Sequence, residues 1–345
     1  MNRLFISLFS VLLLFCSTFS FAHHSRFGVF DTDATIDIEG TLSYVKWSNP
    51  HVLFEAEVID SDGVMQVWHI ETTALSMLRS RGLDQNFLKV GDRVRIAGHP
   101  TYNGDPELLG MNLLLPDGTE VLITRNSTPY FANLGSGQFL ESVYDTTSVD
   151  RARAEADGIF RTWSTVLTDL ASFPMFRGRY PLNETAAQVK ASWDPDPEQQ
   201  LSCWAKDMPI LMVTPHPIEF SQVGENIRMR FEEDDAERLV HMNIENSVEH
   251  IQSRTASSMG YSTGSWEGNT LVVETTNIDA AAFDDQGTPV GDDIRLVERF
   301  TLSDDEQRLD YRITFYDDET FTEPFDLTRY WVWRPERAVE AWGCE

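Results

Sequence analysis

Cysteine is scarce in this chain, three residues in 345, and no two of them form a Cys-x-x-Cys pair. That excludes thiolate-rich zinc modules and dithiol redox motifs built on that spacing. Basic side chains are also few: 27 Lys and Arg stand against 55 Asp and Glu, a net charge of −28. Such an acidic excess argues against nucleic acid or an anionic lipid surface as partner, and otherwise serves solubility. Beyond residue 22 there is no long apolar run, and a spanning helix needs about 20 apolar positions, so no membrane span is expected in the mature chain. A Gly-x-Ser-x-Gly elbow, a phosphate-cradling glycine loop and a His-Glu-x-x-His pair are all missing. With them go the commonest hydrolase, nucleotide-binding and zinc-protease signatures, and a non-enzyme is favoured. The acidic pairs Glu232-Glu233 and Asp284-Asp285 could serve as acid/base carboxylates, but among 55 acidic residues they read as solvated surface; Asp234-Asp235 and Asp292-Asp293 offer oxygen ligands for calcium without the spacing of an EF loop.

What is present begins at the amino terminus. Arg3 supplies a positive charge, Leu4 to Phe15 are almost continuously apolar, and Ser20-Phe21-Ala22 places small residues at a cleavage site. These are the parts of a secretory signal peptide cut after Ala22. Cys16 is no lipoprotein acceptor, because the bulky Phe15 precedes it. Residues 1–22 are therefore expected to direct the protein to a bacterial periplasm, where Cys203 and Cys344 are left as an isolated pair. A disulfide between them is the simplest fate in an oxidising compartment. Closing a loop of roughly 140 residues contributes about 4 kcal/mol in the chain-entropy model. A thiol nucleophile or a metal thiolate is the alternative.

The remaining pattern is mainly β. Ile36 to Trp47, His51 to Asp60 and Val64 to Glu71 read as strands, the second and third joined by the Ser61-Asp62-Gly63 turn. Thr73 to Arg81 has helical character and stops at Gly82, and Asp92 to His99 and Leu108 to Leu115 add two strands. Three strands, a helix and two strands is the order of an OB-fold five-stranded barrel, assigned to residues 23–125; a simple open sheet with one helix is the alternative. Residues 126–185 read as a linker with a short helix at Ser148 to Asp157 and a strand at Gly158 to Thr165 that could start the second domain. Residues 186–345 carry about eight strands: Ile210–Val213, Ile227–Phe231, Arg238–Asn243, Tyr261–Trp266, Thr270–Thr275, Ile294–Leu302, Arg308–Tyr316 and Phe325–Trp333. Antiparallel strands at such short spacing suggest a lipocalin-like barrel or a sandwich, with few short helices.

Three separated elements, His23-His24-Ser25, Trp47-Ser48-Asn49-Pro50-His51 and Leu88-Lys89-Val90-Gly91-Asp92 followed by Arg93-Val94, resemble a bacterial exported family catalogued as domain of unknown function 6152. The resemblance covers roughly residues 22–124. The stretch Met259 to Thr275, together with Leu296-Val297-Glu298-Arg299-Phe300 and Cys344-Glu345, resembles a second uncharacterised exported segment. Its relatives commonly carry a His after the Met-Gly step, where this chain has Tyr261. Neither resemblance implies an activity.

Cleavage after Ala22 would give His23 a free α-amine beside its own imidazole, a chelating pair. A second imidazole completes a nitrogen-rich, roughly planar set that favours Cu(II), with zinc as the other candidate. The amine must shed its proton, so binding would be linked to pH. His24, His51 and His99 are the candidate partners, with His69 behind them; a turn-capping role for His51 is the alternative. His216, His241 and His250 show no ligand spacing and read as surface or hydrogen-bonding residues. A barrel can also hold a small apolar ligand, and Trp266, Trp331, Trp333, Phe300, Phe315 and Phe325 could line one; alternating strand aromatics equally make ordinary core. An envelope protein partner, unidentified, is the third functional reading.

Overall fold

The computed structural model describes residues 29–79, 83, 85–124, 127–139, 146–166, 169–173, 180–193, 205–242, 255–284 and 286–344. Strands β1 (Ile36–Lys46), β2 (Leu53–Ile59) and β3 (Met65–Glu71) form an antiparallel meander. Helix α1 (Leu75–Arg79) leads to β4 (Arg93–Pro100) and β5 (Glu107–Leu114). β4 pairs with β1, and β5 closes the ring by pairing in parallel with β3. This is the OB-fold barrel, and the open-sheet alternative is set aside. Alternation produces it: Phe54 and Ala56 point into the core while Glu55 and Glu57 point out. Leu75 and Leu78 of α1 seat the helix on the same apolar cluster as Leu42, Ile70 and Leu108. The sheet continues past β5 into β6 (Thr119–Leu122) and β7 (Gln138–Phe139).

After α2 (Thr146–Glu155), the strand anticipated at Gly158 to Thr165 is β8 (Thr162–Ser164), and it belongs to the second barrel. Helix α3 (Glu184–Ala191) follows, its first turn capped by the Asn183 side chain on the Ala186 N–H. Then come β9 (Ile218–Val223), β10 (Asn226–Phe231), β11 (Glu237–Met242), β12 (Tyr261–Glu267), β13 (Thr270–Thr276), β14 (Arg295–Leu302), β15 (Arg308–Tyr316) and β16 (Phe325–Trp333). These nine strands close in the order β10-β11-β12-β13-β14-β15-β16-β8-β9, so the second domain is a barrel, not a sandwich. Its strands alternate cleanly; in β15, Leu309, Tyr311, Ile313 and Phe315 face in.

Three expectations change. Ile210–Val213 is a 3-10 turn, not a strand, and all four of its residues are buried. A run with no polar alternation has no solvent face, and this one plugs the barrel, held by the Arg329 guanidinium on the carbonyls of Met212 and Thr214 at 2.9 and 3.2 Å. Ile218–Val223, not expected as a strand, is β9. The ring is also not wholly antiparallel, because β11 and β12 run parallel, joined through residues outside the described set.

Candidate functional site

The histidines anticipated as metal ligands fall on the OB domain, and His23 and His24 lie outside the described residues. His99, near the end of β4, donates its Nδ1–H to the carbonyl of Ala34 at 2.6 Å. A carbonyl only accepts, so the proton sits on Nδ1 and the ligand lone pair on Nε2. His51 holds its Nδ1 2.8 Å from Glu71, and His69 sits 3.4 Å from Glu55. Glu71 and His99 both align with Leu109 of the intervening β5. The His51–Glu71 pair and His99 are thus two strands apart, roughly 10 Å of sheet, and are not brought together. Among the described residues no three potential ligands cluster into a metal site.

The segment leading out of the amino terminus is fastened beside His99. Phe30 bridges Thr101, the Asp31 N–H donates to Pro100, and the Tyr102 N–H donates to Val29.

The aromatics anticipated as a pocket lining separate into three environments. Phe300, Phe315 and Trp331 are fully buried in one packed core. There Phe300 lies 4.8 Å from Tyr311, and Phe315 lies 5.0 Å from Phe325. Trp333 is half-buried under the Arg161 guanidinium at 4.5 Å. Trp266 is exposed at the rim, beside a recess of about 270 Å³ that includes Ile227 and Met242. The described barrel interior also contains charge. Arg238 of β11 and Glu298 of β14 form a bidentate pair with almost no exposure. Ser262 and Thr275 accept from Arg238, and the Tyr311 hydroxyl donates to Glu298 at 2.9 Å. Arg329 lies over Trp331, and burial lowers its pKa to about 9.

A second polar assembly, not foreseen, lies between the two barrels. The Ser76 hydroxyl of α1 and His216 Nδ1 are 2.5 Å apart, and His216 Nε2 lies 3.4 Å from Glu233. Lys206 pairs with the same Glu233. Burial pushes the His216 pKa down to about 4 against the opposing charge of Glu233, so near neutral pH its ring is uncharged and accepts from Ser76. Glu232 is wholly buried, 3.8 Å from Arg79, and burial raises its pKa to about 7. The Glu232-Glu233 pair, read from sequence as solvated surface, is therefore an interior one. The Ser-His-Glu order is reminiscent of a nucleophile relay, but Ser76 is buried and the edge of Trp342 closes over the imidazole at 4.6 Å. As it stands the arrangement joins domains.

The C-terminal segment that carries Trp342 passes through this seam. Asn49, inside the Trp-Ser-Asn-Pro-His element, donates its N–H to Gly343 and its side-chain amide to Trp342, and accepts the Leu75 N–H at the start of α1. Cys344 bridges to Asn49; Cys203, its anticipated disulfide partner, lies outside the described residues. The signal that could have pointed here is the Asn49-Pro50 element, whose buried Asn has both ends of its amide in use.

These features define the class: an OB-fold barrel joined through a buried polar seam to a nine-stranded barrel. Residues 12–110 match the model of a family described as a family of unknown function, DUF6152, in agreement with the resemblance carried by the His-His-Ser, Asn-Pro-His and Gly-Asp elements. The match spans the OB domain into β5 and stops before the second barrel. No curated protein matches the chain.

Proposed function

We propose that this is an exported periplasmic binding protein whose mature amino terminus holds Cu(II), with His99 as the imidazole supplied by the fold. One observation carries the reading: the Phe30–Thr101 bridge ties the leading segment to the end of β4 beside His99. From Val29 back to His23 the chain can span at most roughly 20 Å, which keeps the His23 amine and imidazole within reach of His99. A backbone carbonyl on the far nitrogen is the usual outer partner of a metal-binding imidazole, and His99 has one in Ala34. His24 and the carboxylate-held His51 remain secondary ligands, and zinc the competing ion. Export rests on the Arg3 to Ala22 leader; no helix among the described residues is long and apolar enough to cross a membrane. In the same compartment Cys203 and Cys344 are proposed to form a disulfide.

The test is Cu(II) titration of protein shown by amino-terminal sequencing to start at His23. One equivalent should bind, with a nitrogen-rich tetragonal spectrum by electron paramagnetic resonance. An alanine added before His23, or His99→Ala, should weaken binding at least about tenfold. Unchanged affinity in both variants ends the copper reading.

A further inference from the structure

The parallel pairing of β11 with β12 ends at Met242 and Gly264, while β12 runs on to Glu267. Trp266 falls on the same strand face as Ser262, which turns into the barrel to meet Arg238. Two residues beyond the paired stretch, its ring is left 44% exposed at the rim. It stands at the recess of about 270 Å³, which Phe160, Gln222, Glu225, Ile227, Met242 and Trp266 line. Local contacts hold these walls in place. The Asn226 side chain accepts the Met242 N–H at 3.2 Å, and Gly264, lacking a Cβ, leaves room for the Met242 sulfur against β12. The Gln222 side chain donates to the Gly224 carbonyl at 3.2 Å, bracing the β9–β10 turn that carries Glu225.

The lining is aromatic, apolar and acidic. Phe160 and Trp266 supply rings, Ile227 and Met242 apolar surface, and Glu225 a carboxylate; among the described residues no basic side chain lines the recess. The arginines of the adjoining β10 are engaged elsewhere, Arg228 with Ser221 and Arg230 with Glu219, each at 3.3 Å. An aromatic ring attracts a cation through its quadrupole, and a carboxylate nearby adds a second attraction. The net charge of −28 further concentrates small cations at the surface and repels anions. The volume has room for roughly nine non-hydrogen atoms, taking about 30 Å³ for each, too few for a lipid chain with its headgroup. We infer that this recess binds a small alkylammonium compound, its methyl groups against Trp266 and Phe160 and its charge answered by Glu225. The site lies on the second barrel and uses none of the residues assigned to copper.

The probe is choline, titrated by calorimetry into the mature protein at low ionic strength, with dimethylbutanol, in which carbon replaces the ammonium nitrogen, as its uncharged isostere. Choline should bind one to one, and about tenfold more tightly than the isostere. Trp266→Ala should weaken choline about tenfold. Glu225→Gln should weaken it severalfold and remove most of its dependence on added salt. Both side chains are exposed, so both variants should fold, which circular dichroism checks. Equal binding of choline and its isostere would make the recess apolar with no preference for charge. That result, no uptake of choline, or unchanged affinity in either folded variant overturns the inference.

Discussion

At the scale of single residues, the hardest feature to explain as ordinary core is the Arg238–Glu298 pair inside the second barrel. Two charges without water persist only if each is fully matched, and here Ser262, Thr275 and Tyr311 complete the set. Arg238→Met leaves Glu298 buried and unpaired, and urea unfolding should show a loss of about 3–5 kcal/mol. Replacing both, Arg238→Met with Glu298→Leu, should recover much of that loss, since the cost lies in the orphaned charge. The pair was legible in outline. Leu296, Glu298 and Phe300 share one strand face, so alternation alone points the carboxylate inward. Its partner was not legible, because Arg238 lies 60 residues away and only ring closure brings β11 opposite β14.

At the scale of elements, the OB barrel was read nearly strand for strand because its strands alternate and its turns carry Asp-Gly signals. Where alternation fails, so did the reading. Ile210–Val213 is uniformly apolar and became a plug, while β9 carries a short pattern, Ile218-x-Phe220, that ends in exposed residues. The parallel β11–β12 pair could not be seen from local sequence, since turn signals announce hairpins only. That pair has its own requirement at Gly264. A Cβ there would stand 2.6 Å from Val240 Cγ1 and 2.7 Å from Met242 Sδ. Gly264→Val should therefore destabilise by about 1–3 kcal/mol through overpacking, measured by denaturant unfolding. The same change at Gly268, whose Cβ would meet nothing, probes backbone conformation alone and should leave the packing of Met242 untouched.

At the scale of the whole molecule, the seam joins groups more than a hundred residues apart, and no local pattern could announce it. It also carries two opposed titrations. Glu232, with its pKa raised by burial from 4.5 to about 7, keeps a proton in the folded protein that the unfolded chain would release. Its contribution is most favourable below pH 4.5 and is lost as pH rises through 7. His216, lowered by burial from 6.5 to about 4, gives up a proton that the unfolded chain would hold. Its contribution is fully present above pH 6.5 and is lost as pH falls through 4. Arg79, Arg337 and Glu340 face Glu232, and Glu233, Lys206 and Arg337 face His216, each included in those shifts. Between pH 4.5 and 6.5 the two slopes oppose each other, so their summed contribution to stability should vary little across that range. Removing one group exposes the other. Stability of Glu232→Gln should rise with pH from 4 to 6.5 by about 3 kcal/mol, and His216→Gln should lose a similar amount between pH 4.5 and 7. Thermal melts across that range read both slopes. A flat profile in both variants would mean that burial of these two groups does not set the pH dependence of stability, and that the seam is held by the hydrogen bonds of the C-terminal segment instead.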